Sequence, residues 1–336
     1  MSWLKSSVRL ASSSMSEEKL DQASNQPGHI SVLLQEIIDG LAITTGDILV
    51  DCTLGGAGHS EALLADAAKR EQSSLVLVGL DADPLAIERS EEKLRKFEKK
   101  FNGKKSDLKI FLKQSNFRHL AEVLDQLEIK HVNKILMDLG LSSFQLDQSG
   151  RGFSFRYNEP LDMTFDKGTL AHFNARDIVN DWDEENIADV IYAYGEERFA
   201  RRIARKIVEA RQLKSIETTD ELVEIIKQSV PTWYAKGKGH PATKTFQALR
   251  IAVNDELRAL TQALEAIISR LAPDGRLAII SFHSLEDRIV KQAFRKWKAE
   301  EKGILVNKKP IVPSRAEILS NPRARSAKLR IFEKKE

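Results

Sequence analysis

The stretch from residue 46 to residue 60 constrains the fold more than any other part of the sequence. A short apolar run, Ile48-Leu49-Val50, ends at Asp51, and four consecutive small residues follow at positions 55 to 58. A helical pattern with Leu63-Leu64 on its buried side comes next. This order predicts a strand, a tight turn and a helix. Small residues in such a turn let a ligand approach the backbone N–H groups.

A second apolar run, residues 74 to 80, ends at Asp81. A carboxylate in that place can accept hydrogen bonds from both hydroxyls of a ribose, so a nucleoside-bearing cofactor is predicted. Neither Gly55 nor Gly56 starts a complete Gly-x-Gly-x-x-Gly motif, and Asp51 would repel a pyrophosphate. The turn therefore favours S-adenosylmethionine over a dinucleotide, and a turn that binds no ligand stays open as an alternative.

Strands alternate with helices along much of the chain. Further strands are predicted around residues 108 to 112, 134 to 137 and 276 to 282, the last after a turn at Pro273-Asp274-Gly275. One long helix is predicted from Phe246 to Leu271. This rhythm predicts an α/β fold with a parallel sheet covered by helices on both faces. A final hairpin, 303 to 306 with 327 to 332, gives the antiparallel end that is usual for a class I, Rossmann-like methyltransferase sheet.

The rhythm of strands and helices stops between residues 146 and 240, which predicts an inserted helical domain for substrate recognition. The cofactor-binding domain then consists of residues 27–145 and 241–336. A helix predicted over 197–211 carries an apolar stripe beside a basic one, and the basic stripe is either solvated or in contact with phosphates. Residues 1–26 are rich in serine and predict a disordered leader, with a presequence or a later start as alternatives.

Charge and composition limit the partners. The net charge is +3, yet residues 291–336 hold 14 Lys/Arg against 5 Asp/Glu, which suggests a nucleic-acid partner or a solvated tail. No apolar run approaches the length of about 18 residues that a membrane span requires. The single cysteine excludes an internal disulfide and fits a reducing compartment, here expected to be the cytoplasm. The seven histidines show no ligand spacing, so no metal site is predicted.

Four side chains are expected at the carboxyl edge of the sheet, where ligands of such sheets bind: Asp51, Asp81, Phe117 and Asp138. Phe117 either packs on an adenine ring or belongs to the core. Asp138 is the best-placed carboxylate to accept a hydrogen bond from an exocyclic amine such as the N4 of cytosine, which would help the lone pair attack a methyl donor. An alternative role for Asp138 is to orient the cofactor, and both roles stay open.

Six blocks of sequence occur together in one order. They are His29 to Glu36, Asp51 to Ser60, Asp138 to Phe155 with Pro160 to Met163, His240 to Leu257, Arg276 to Lys291, and Asn321 to Arg330. In these blocks the chain resembles the RsmH or MraW family, the small-subunit ribosomal RNA (cytosine-N4)-methyltransferases. The resemblance runs from His29 to about Arg330.

The resemblance implies S-adenosylmethionine-dependent methylation of a cytosine in the decoding region of 16S rRNA, met as free RNA or in the small ribosomal subunit. It implies cofactor contacts at Ala57, Gly58, His59, Asp81, Phe117, Asp138 and Gln145. Substrate contacts are expected at Asp162, Arg250, Asn254, His283, Arg323 and Arg325, the last two with phosphates.

Two positions depart from the family pattern. Ala57 stands where glycine is usual, and we expect the backbone path to be kept. Thr164 stands where arginine commonly follows, which puts substrate affinity in question. The alternatives that remain are a methyltransferase for DNA or a protein amine, a dinucleotide-dependent oxidoreductase, and a non-catalytic RNA-binding assembly factor.

Overall fold

Seven strands form a single sheet. The computed structural model describes residues 31–102, 107–166, 173–237 and 239–335, so the predicted leader and His29 lie outside the described residues. The strands are β1 Ile48–Asp51, β2 Leu75–Asp81, β3 Leu108–Gln114, β4 Val132–Asp138, β5 Leu271–Ser281, β6 Gly303–Leu305 and β7 Lys328–Lys334. Their spatial order is β3-β2-β1-β4-β5-β7-β6.

The direction of the strands confirms the predicted fold class. Strands β1 to β5 pair in parallel, whereas β7 is antiparallel to both β5 and β6. The register between β4 and β5 shifts between Val132 and Lys134. The predicted turn at Pro273-Asp274-Gly275 is therefore an irregular stretch inside β5, and Asp274 has a φ of 58° there.

Fourteen described α-helices surround the sheet, and two further segments form 3-10 helices. The α-helices are α1 Leu34–Leu41, α2 Gly58–Lys69, α3 Pro84–Asn102, α4 Leu120–Gln126, α5 Ser143–Asp147, α6 Ala175–Asp181, α7 Glu184–Gly195, α8 Ala200–Arg211, α9 Thr219–Ser229, α10 Thr232–Ala235, α11 Thr243–Asn254, α12 Glu256–Arg270, α13 Ser284–Ala299 and α14 Arg315–Ser320. The 3-10 segments are Phe117–His119 and Pro322–Ser326. None of the described helices is both long and apolar enough to cross a membrane.

The sheet separates two hydrophobic cores because successive side chains of a strand point to opposite faces. In β1, Leu49 belongs to the core under α1, α2 and α3, and Val50 to the core under α4, α12 and α13. Leu136 and Met137 of β4 divide in the same way. Both faces are thus apolar, which explains why the strands read as continuous hydrophobic runs.

A third hydrophobic core lies among helices α6 to α9 and α11. Ile203 and Ile207 of α8 point into it and are fully buried, as the predicted apolar stripe requires. Helix α8 begins at Ala200, three residues later than predicted, because the buried carboxylate of Glu197 accepts the N–H of Phe199 and forms a turn. This core also contains Phe246, so it extends beyond residue 240, where the predicted insertion ends.

The long helix predicted from Phe246 to Leu271 is wrong, because the structure divides it into α11 and α12. The break is Asp255, whose φ of 48° is left-handed. The Arg118 guanidinium donates to both the backbone oxygen (3.1 Å) and the side-chain carboxylate (3.0 Å) of Asp255. A partner distant in sequence thus holds a conformation that the helical pattern does not reveal.

Candidate active site at the carboxyl edge of the sheet

The carboxyl ends of β1, β2 and β4 bring three carboxylates to one edge. Asp51 is level with Gly79 of β2 and with Leu136 of β4, so Asp81 and Asp138 each lie two residues beyond that level. Phe117 follows β3, the next strand in the sheet, and its ring is half-buried. The four side chains expected at this edge are therefore placed around one region of the surface.

The turn after β1 is held by hydrogen bonds to the carboxylate of Asp51. Asp51 is only 2% exposed and accepts the Ser60 hydroxyl at 2.6 Å and the Thr53 N–H at 3.1 Å. Because its oxygens are engaged inside the turn, Asp51 holds the loop rather than presenting a free carboxylate. Burial raises the pKa of Asp51, and the Ser60 hydroxyl opposes that rise.

The backbone of the turn is left-handed at Gly55 and Ala57, where φ is 51° and 57°. Glycine adopts this region freely, whereas an L-residue with a Cβ is strained there by about 1 kcal/mol. The Ala57 N–H still bonds to the Leu54 carbonyl at 2.7 Å. The expected path is thus compatible with alanine at position 57, at a small cost in strain.

Asp81 has the geometry of a site for two hydroxyl groups. One of its oxygens accepts the Gly55 N–H and the other the Asp83 N–H, both at 2.8 Å. A carboxylate oxygen has two lone pairs, so each oxygen keeps one for a ligand. Burial raises the pKa of Asp81 to about 6, although the two N–H donors oppose the rise.

Asp138 has an unsatisfied acceptor beside a histidine. Its Oδ1 is buried and has no hydrogen-bond partner among the described residues, and Oδ2 lies 3.6 Å from His59 Nδ1. The Thr53 hydroxyl fixes the end of β4 by accepting the Asp138 N–H at 2.6 Å. Burial raises the pKa of Asp138 to about 6, and His59 opposes the rise.

The tautomer of His59 follows from its second contact. His59 Nε2 lies 2.9 Å from the carbonyl oxygen of Val32, which only accepts hydrogen bonds, so Nε2 carries a proton. In a neutral ring, Nδ1 then presents a lone pair to Asp138. The 3.6 Å between Nδ1 and Asp138 Oδ2 is too long for a hydrogen bond, so the two groups interact through their charge distributions.

Gln145 is placed by a capping box at the start of α5. Its side chain accepts the Ser142 N–H at 2.9 Å, and the Ser142 hydroxyl accepts the Gln145 N–H at 3.2 Å. Gln145 Nε2 lies 3.4 Å from Asp83. The side chain is 7% exposed, so it is packed within the edge beside the Asp81 loop.

A buried ion pair that the sequence did not indicate joins this edge to the 151–165 segment. Arg151 is 5% exposed and its Nη2 lies 2.5 Å from the carboxylate of fully buried Asp83. Arg151 Nη1 donates to the carbonyl oxygens of Thr164 (3.0 Å) and Phe165 (2.8 Å). The two residues are 68 positions apart, so no local pattern could pair them.

A profile of the MraW methylase family matches residues 26–335. Ribosomal RNA small subunit methyltransferase H of Paenibacillus sp. (strain JDR-2) is 45% identical over 327 residues, which cover 91% of this chain and 99% of the relative. The chain belongs to the MraW methylase family. The expected family is therefore confirmed.

Two further proteins complete the comparison. Ribosomal RNA small subunit methyltransferase H of Brevibacillus brevis (strain 47) is 44% identical over 321 residues, covering 91% of this chain and 98% of the relative. The solved structure of an rRNA methylase from Streptococcus thermophilus aligns with a TM-score of 0.42 at 11% identity, over 92% of this chain and 100% of that chain.

Asn254, a predicted substrate contact of this family member, holds the backbone of the 151–165 segment. Its amide donates to the Met163 carbonyl at 2.7 Å and accepts the Phe165 N–H at 2.8 Å. Met163 is buried with a φ of 60°, a strained conformation that needs such support. Asp162 next to it is half-buried and accepts the Thr164 N–H at 3.2 Å.

Thr164, expected to depart from the family pattern, lies inside the protein. It is 1% exposed, and its hydroxyl has no hydrogen-bond partner among the described residues. Arg151 approaches from the other side and binds the Thr164 carbonyl. The side chain at position 164 thus points into the interior, so the departure acts on packing at this point.

Arg250 and His283, also predicted to contact substrate, belong to a buried charge network. Arg250 donates from Nε and Nη2 to the two carboxylate oxygens of Glu256, at 2.7 and 2.9 Å. His283 caps the start of α13, because its side chain accepts the Glu286 N–H at 3.4 Å, while Glu286 accepts the N–H of Phe282 at 2.8 Å. The network packs the β5 to α13 turn against α11.

Ligand atoms of Glu256, His283 and Glu286 lie within 4.8 Å of one another, close enough to hold a metal ion, which the scattered histidines of the sequence did not indicate. Glu256 is already held by the Arg250 guanidinium, and the His283 Nδ1 lone pair by a backbone N–H. A histidine that accepts through Nδ1 carries its proton on Nε2 and cannot ligate there. These contacts favour an internal charge network.

The two arginines predicted to contact phosphates differ in their surroundings. Arg323 is bonded through Nη2 to both oxygens of Asp147, at 2.7 and 2.6 Å. Arg325 is exposed and forms no ion pair within the described residues. Nearby Arg330 donates to Asp287 at 2.7 Å. Arg323 and Arg330 are thus neutralised by carboxylates of the same chain whereas Arg325 is not, a distinction that composition does not make.

Proposed function

We propose that this chain transfers a methyl group from S-adenosylmethionine to the N4 amine of a cytosine in the decoding region of 16S small-subunit rRNA. Family membership over residues 26–335 supports the reaction class, and the two relatives above are named for the same ribosomal subunit. The observation that carries the proposal at the level of chemistry is the unsatisfied Oδ1 of Asp138 at the carboxyl edge of the sheet.

The residues of this edge fit an S-adenosylmethionine site. Asp81 retains one lone pair on each oxygen for the ribose hydroxyls, and Phe117 offers a half-buried ring for the adenine. The remaining cofactor contacts in this proposal are Ala57, Gly58, His59, Asp138 and Gln145. When bound, the cofactor supplies a sulfonium methyl group, so that an N–C bond forms as the S–C bond breaks.

Asp138 has two tasks in this mechanism. Its carboxylate accepts a hydrogen bond from the cytosine N4 amine, which favours the pyramidal nitrogen that the attack requires. It then takes the proton that the methylated amine must lose. His59 turns Nδ1 toward this carboxylate, 3.6 Å from Oδ2, because Nε2 is committed to the Val32 carbonyl. Asp138 acts as a base only when ionised, so its raised pKa sets a lower limit of pH for activity.

The substrate side of the proposal comprises residues 146–240, as an inserted domain for RNA recognition, and the contacts at Asp162, Arg250, Asn254, His283, Arg323 and Arg325. Asn254 and Arg250 act mainly by positioning, since their side chains are engaged with Met163 and Glu256. A cytosine stacked in structured RNA must be flipped out, at a cost of a few kcal/mol. A ribosomal RNA substrate supports location in the cytoplasm.

The experiment that tests the function is mass spectrometry of rRNA nucleosides from cells with and without this protein. N4-methylcytidine at one decoding-region position should disappear without the protein and return when it is supplied. In vitro, transfer of labelled methyl groups to small subunits, free rRNA, DNA and protein separates the alternatives. A chain that binds small subunits but leaves them unmodified would be a non-catalytic assembly factor and would contradict the proposal.

A further inference from the structure

The most exposed aromatic ring of helix α10 is Trp233, whose residue surface is 63% exposed. Exposure of a large apolar ring to water is unfavourable, and large exposed apolar groups often mark binding surfaces. Trp233 also lies outside the three hydrophobic cores. The ring contacts Phe199 and Tyr234, with centroids 6.3 and 5.8 Å away, and most of its surface still faces solvent.

The structure holds this ring in place through its neighbours. The Tyr234 hydroxyl bonds to the buried carboxylate of Glu197, and the Tyr234 ring packs edge-on against Phe199 with centroids 4.9 Å apart. The short helix α10 is thus fixed against the start of α8. Trp233 is presented as an ordered platform, which reduces the entropy lost when a flat ligand stacks on it.

Arginine side chains lie beside the rings of Trp233 and Phe199. The Arg198 guanidinium lies 4.7 Å from the centre of the Trp233 ring, and Arg202 lies 5.8 Å from the centre of the Phe199 ring. Arg198, Arg201 and Arg202 are all exposed, and no carboxylate lies within ion-pair distance of them in the described ranges. Further along α8 the charges are paired, Arg205 with Glu184 and Lys206 with Glu209. The arginines without a carboxylate partner thus lie at the start of α8, where Arg198 contacts the Trp233 ring.

Residues that follow α10 contact the segment beside the proposed active site. His240 stacks on Phe155, with ring centroids 4.3 Å apart and planes inclined by 13°. Phe155 belongs to the segment that starts at Arg151, which is bound to Asp83 beside the Asp81 loop. Phe155 packs against the third hydrophobic core, as do Phe199 and Tyr234, so this core lies between the aromatic surface and the segment that reaches the proposed active site.

We propose that Trp233, with Arg198, Arg201 and Arg202, is a contact surface for single-stranded RNA that flanks the target cytosine. A base would stack on the free part of the Trp233 ring, and the arginines would bind the adjoining phosphates. Any base has a face that can stack, so this surface adds affinity without strict sequence preference. The inference rests on the proposed function and names the part of the substrate that this surface holds.

RNA fits this surface better than an acidic protein does. An acidic peptide would satisfy the arginines but would leave the indole ring without a matching flat group. Single-stranded RNA supplies bases and phosphates in alternation, and arginine contacts both phosphates and ring faces. An acidic peptide therefore serves as the competing ligand in the test.

The test uses the full chain and a fluorescein-labelled single-stranded RNA oligonucleotide that contains the decoding-region cytosine. Trp233→Ala should weaken oligonucleotide binding about tenfold, whereas Trp233→Phe should restore most of the affinity because a ring remains. With small subunits as substrate, Trp233→Ala should raise KM and leave kcat and the affinity for S-adenosylhomocysteine unchanged. The matched control is Leu213→Ala, which removes a side chain that is 90% exposed, two residues beyond the end of α8.

Salt dependence measures the role of the arginines. Each lost contact with a single-strand phosphate should reduce the slope of log affinity against log salt by about 0.7, so Arg201→Ala with Arg202→Ala should reduce it by about 1.4. Binding of the Trp233→Ala variant within twofold of the wild type would overturn the proposal, as would equal displacement by a polyglutamate peptide. Oligonucleotide binding is measured without methyl transfer, so failure of the proposed function would be seen separately in the nucleoside assay.

Discussion

The carboxyl edge of the sheet and the start of α8 differ in the surroundings of their charged side chains. At the edge, Asp51 and Asp83 are almost completely buried, and both oxygens of each carboxylate accept a hydrogen bond from the protein. At the start of α8, Arg198 and Arg201 are exposed and form no ion pair in the described part of the chain. The edge is fixed before any ligand binds, whereas the start of α8 depends on its partner for neutralisation.

This difference predicts how substitutions divide. A change at the edge removes a fixed acceptor in a poorly solvated place, where one hydrogen bond has a large effect. A change on an exposed basic surface removes one of several weak, screened contacts. Effects at the edge should thus be large and specific to one step, and effects on the basic surfaces small, additive and sensitive to salt.

The largest effect is expected for Asp138→Asn. Loss of the carboxylate should lower kcat by about 10²- to 10⁴-fold, because an amide cannot take the proton from the target amine. For the wild type, kcat should fall as the pH decreases through about 6, where the Asp138 carboxylate becomes protonated. The pH profile of single-turnover methyl transfer checks both points. An Asp138→Asn variant with more than a tenth of wild-type kcat would remove Asp138 from the chemistry.

Arg151→Ala should have the largest effect on folding. It leaves the Asp83 carboxylate buried without its cation, which typically costs about 3–5 kcal/mol in the free energy of unfolding. Urea unfolding followed by circular dichroism measures this loss. Lys96→Ala is the control, since Lys96 and Glu92 form an exposed pair whose loss should change the unfolding free energy little. Equal losses for the two variants would show that burial of the Arg151 pair is unimportant.

Asp81→Ala should weaken binding of S-adenosylhomocysteine about 10- to 100-fold, because two hydroxyl groups lose their charged acceptor. RNA binding should stay within twofold of the wild type. Isothermal calorimetry with the cofactor product and fluorescence anisotropy with the RNA oligonucleotide measure the two affinities. If both affinities fell together, the separation between the cofactor edge and the RNA surface would be wrong.

The smallest effects are expected in the C-terminal basic segment. Arg325→Ala should weaken RNA binding a few-fold, and more at low salt than at high salt, because Arg325 is an exposed and unpaired cation. Arg323→Ala should have less effect, since Asp147 already neutralises this arginine. The double variant should leave affinity for S-adenosylhomocysteine unchanged. A greater loss of RNA binding for Arg323→Ala than for Arg325→Ala would contradict the pairing with Asp147.

The fold was largely predictable because its signals are local. The alternation of apolar runs and helical patterns gave the parallel sheet, and the antiparallel hairpin gave its last strands. Asp51, Asp81 and Asp138 could be placed at one edge because parallel strands end on the same side of a sheet. The break at Asp255 was missed since it depends on Arg118, which lies 137 positions earlier.

Side-chain pairing was the part of the site that sequence could not provide. Arg323 and Arg325 look equivalent in the sequence, yet Asp147, 176 positions away, binds only the first. Asn254 and Arg250 stand in a motif that resembles a substrate site, yet both hold other parts of the protein. The sequence does not reveal whether a charged residue pairs with another residue of the same chain or with a ligand.

The sequence alone determined the class of fold, the family and the set of acidic side chains at the edge of the sheet, because each follows from short-range pattern and strand direction. Tertiary structure decided which charges remain available to a ligand. Ion pairs such as Arg151 with Asp83 form only when distant segments pack together and exclude water. Packing thus engages some groups inside the protein and leaves others, among them Asp138 and Trp233, available to a ligand.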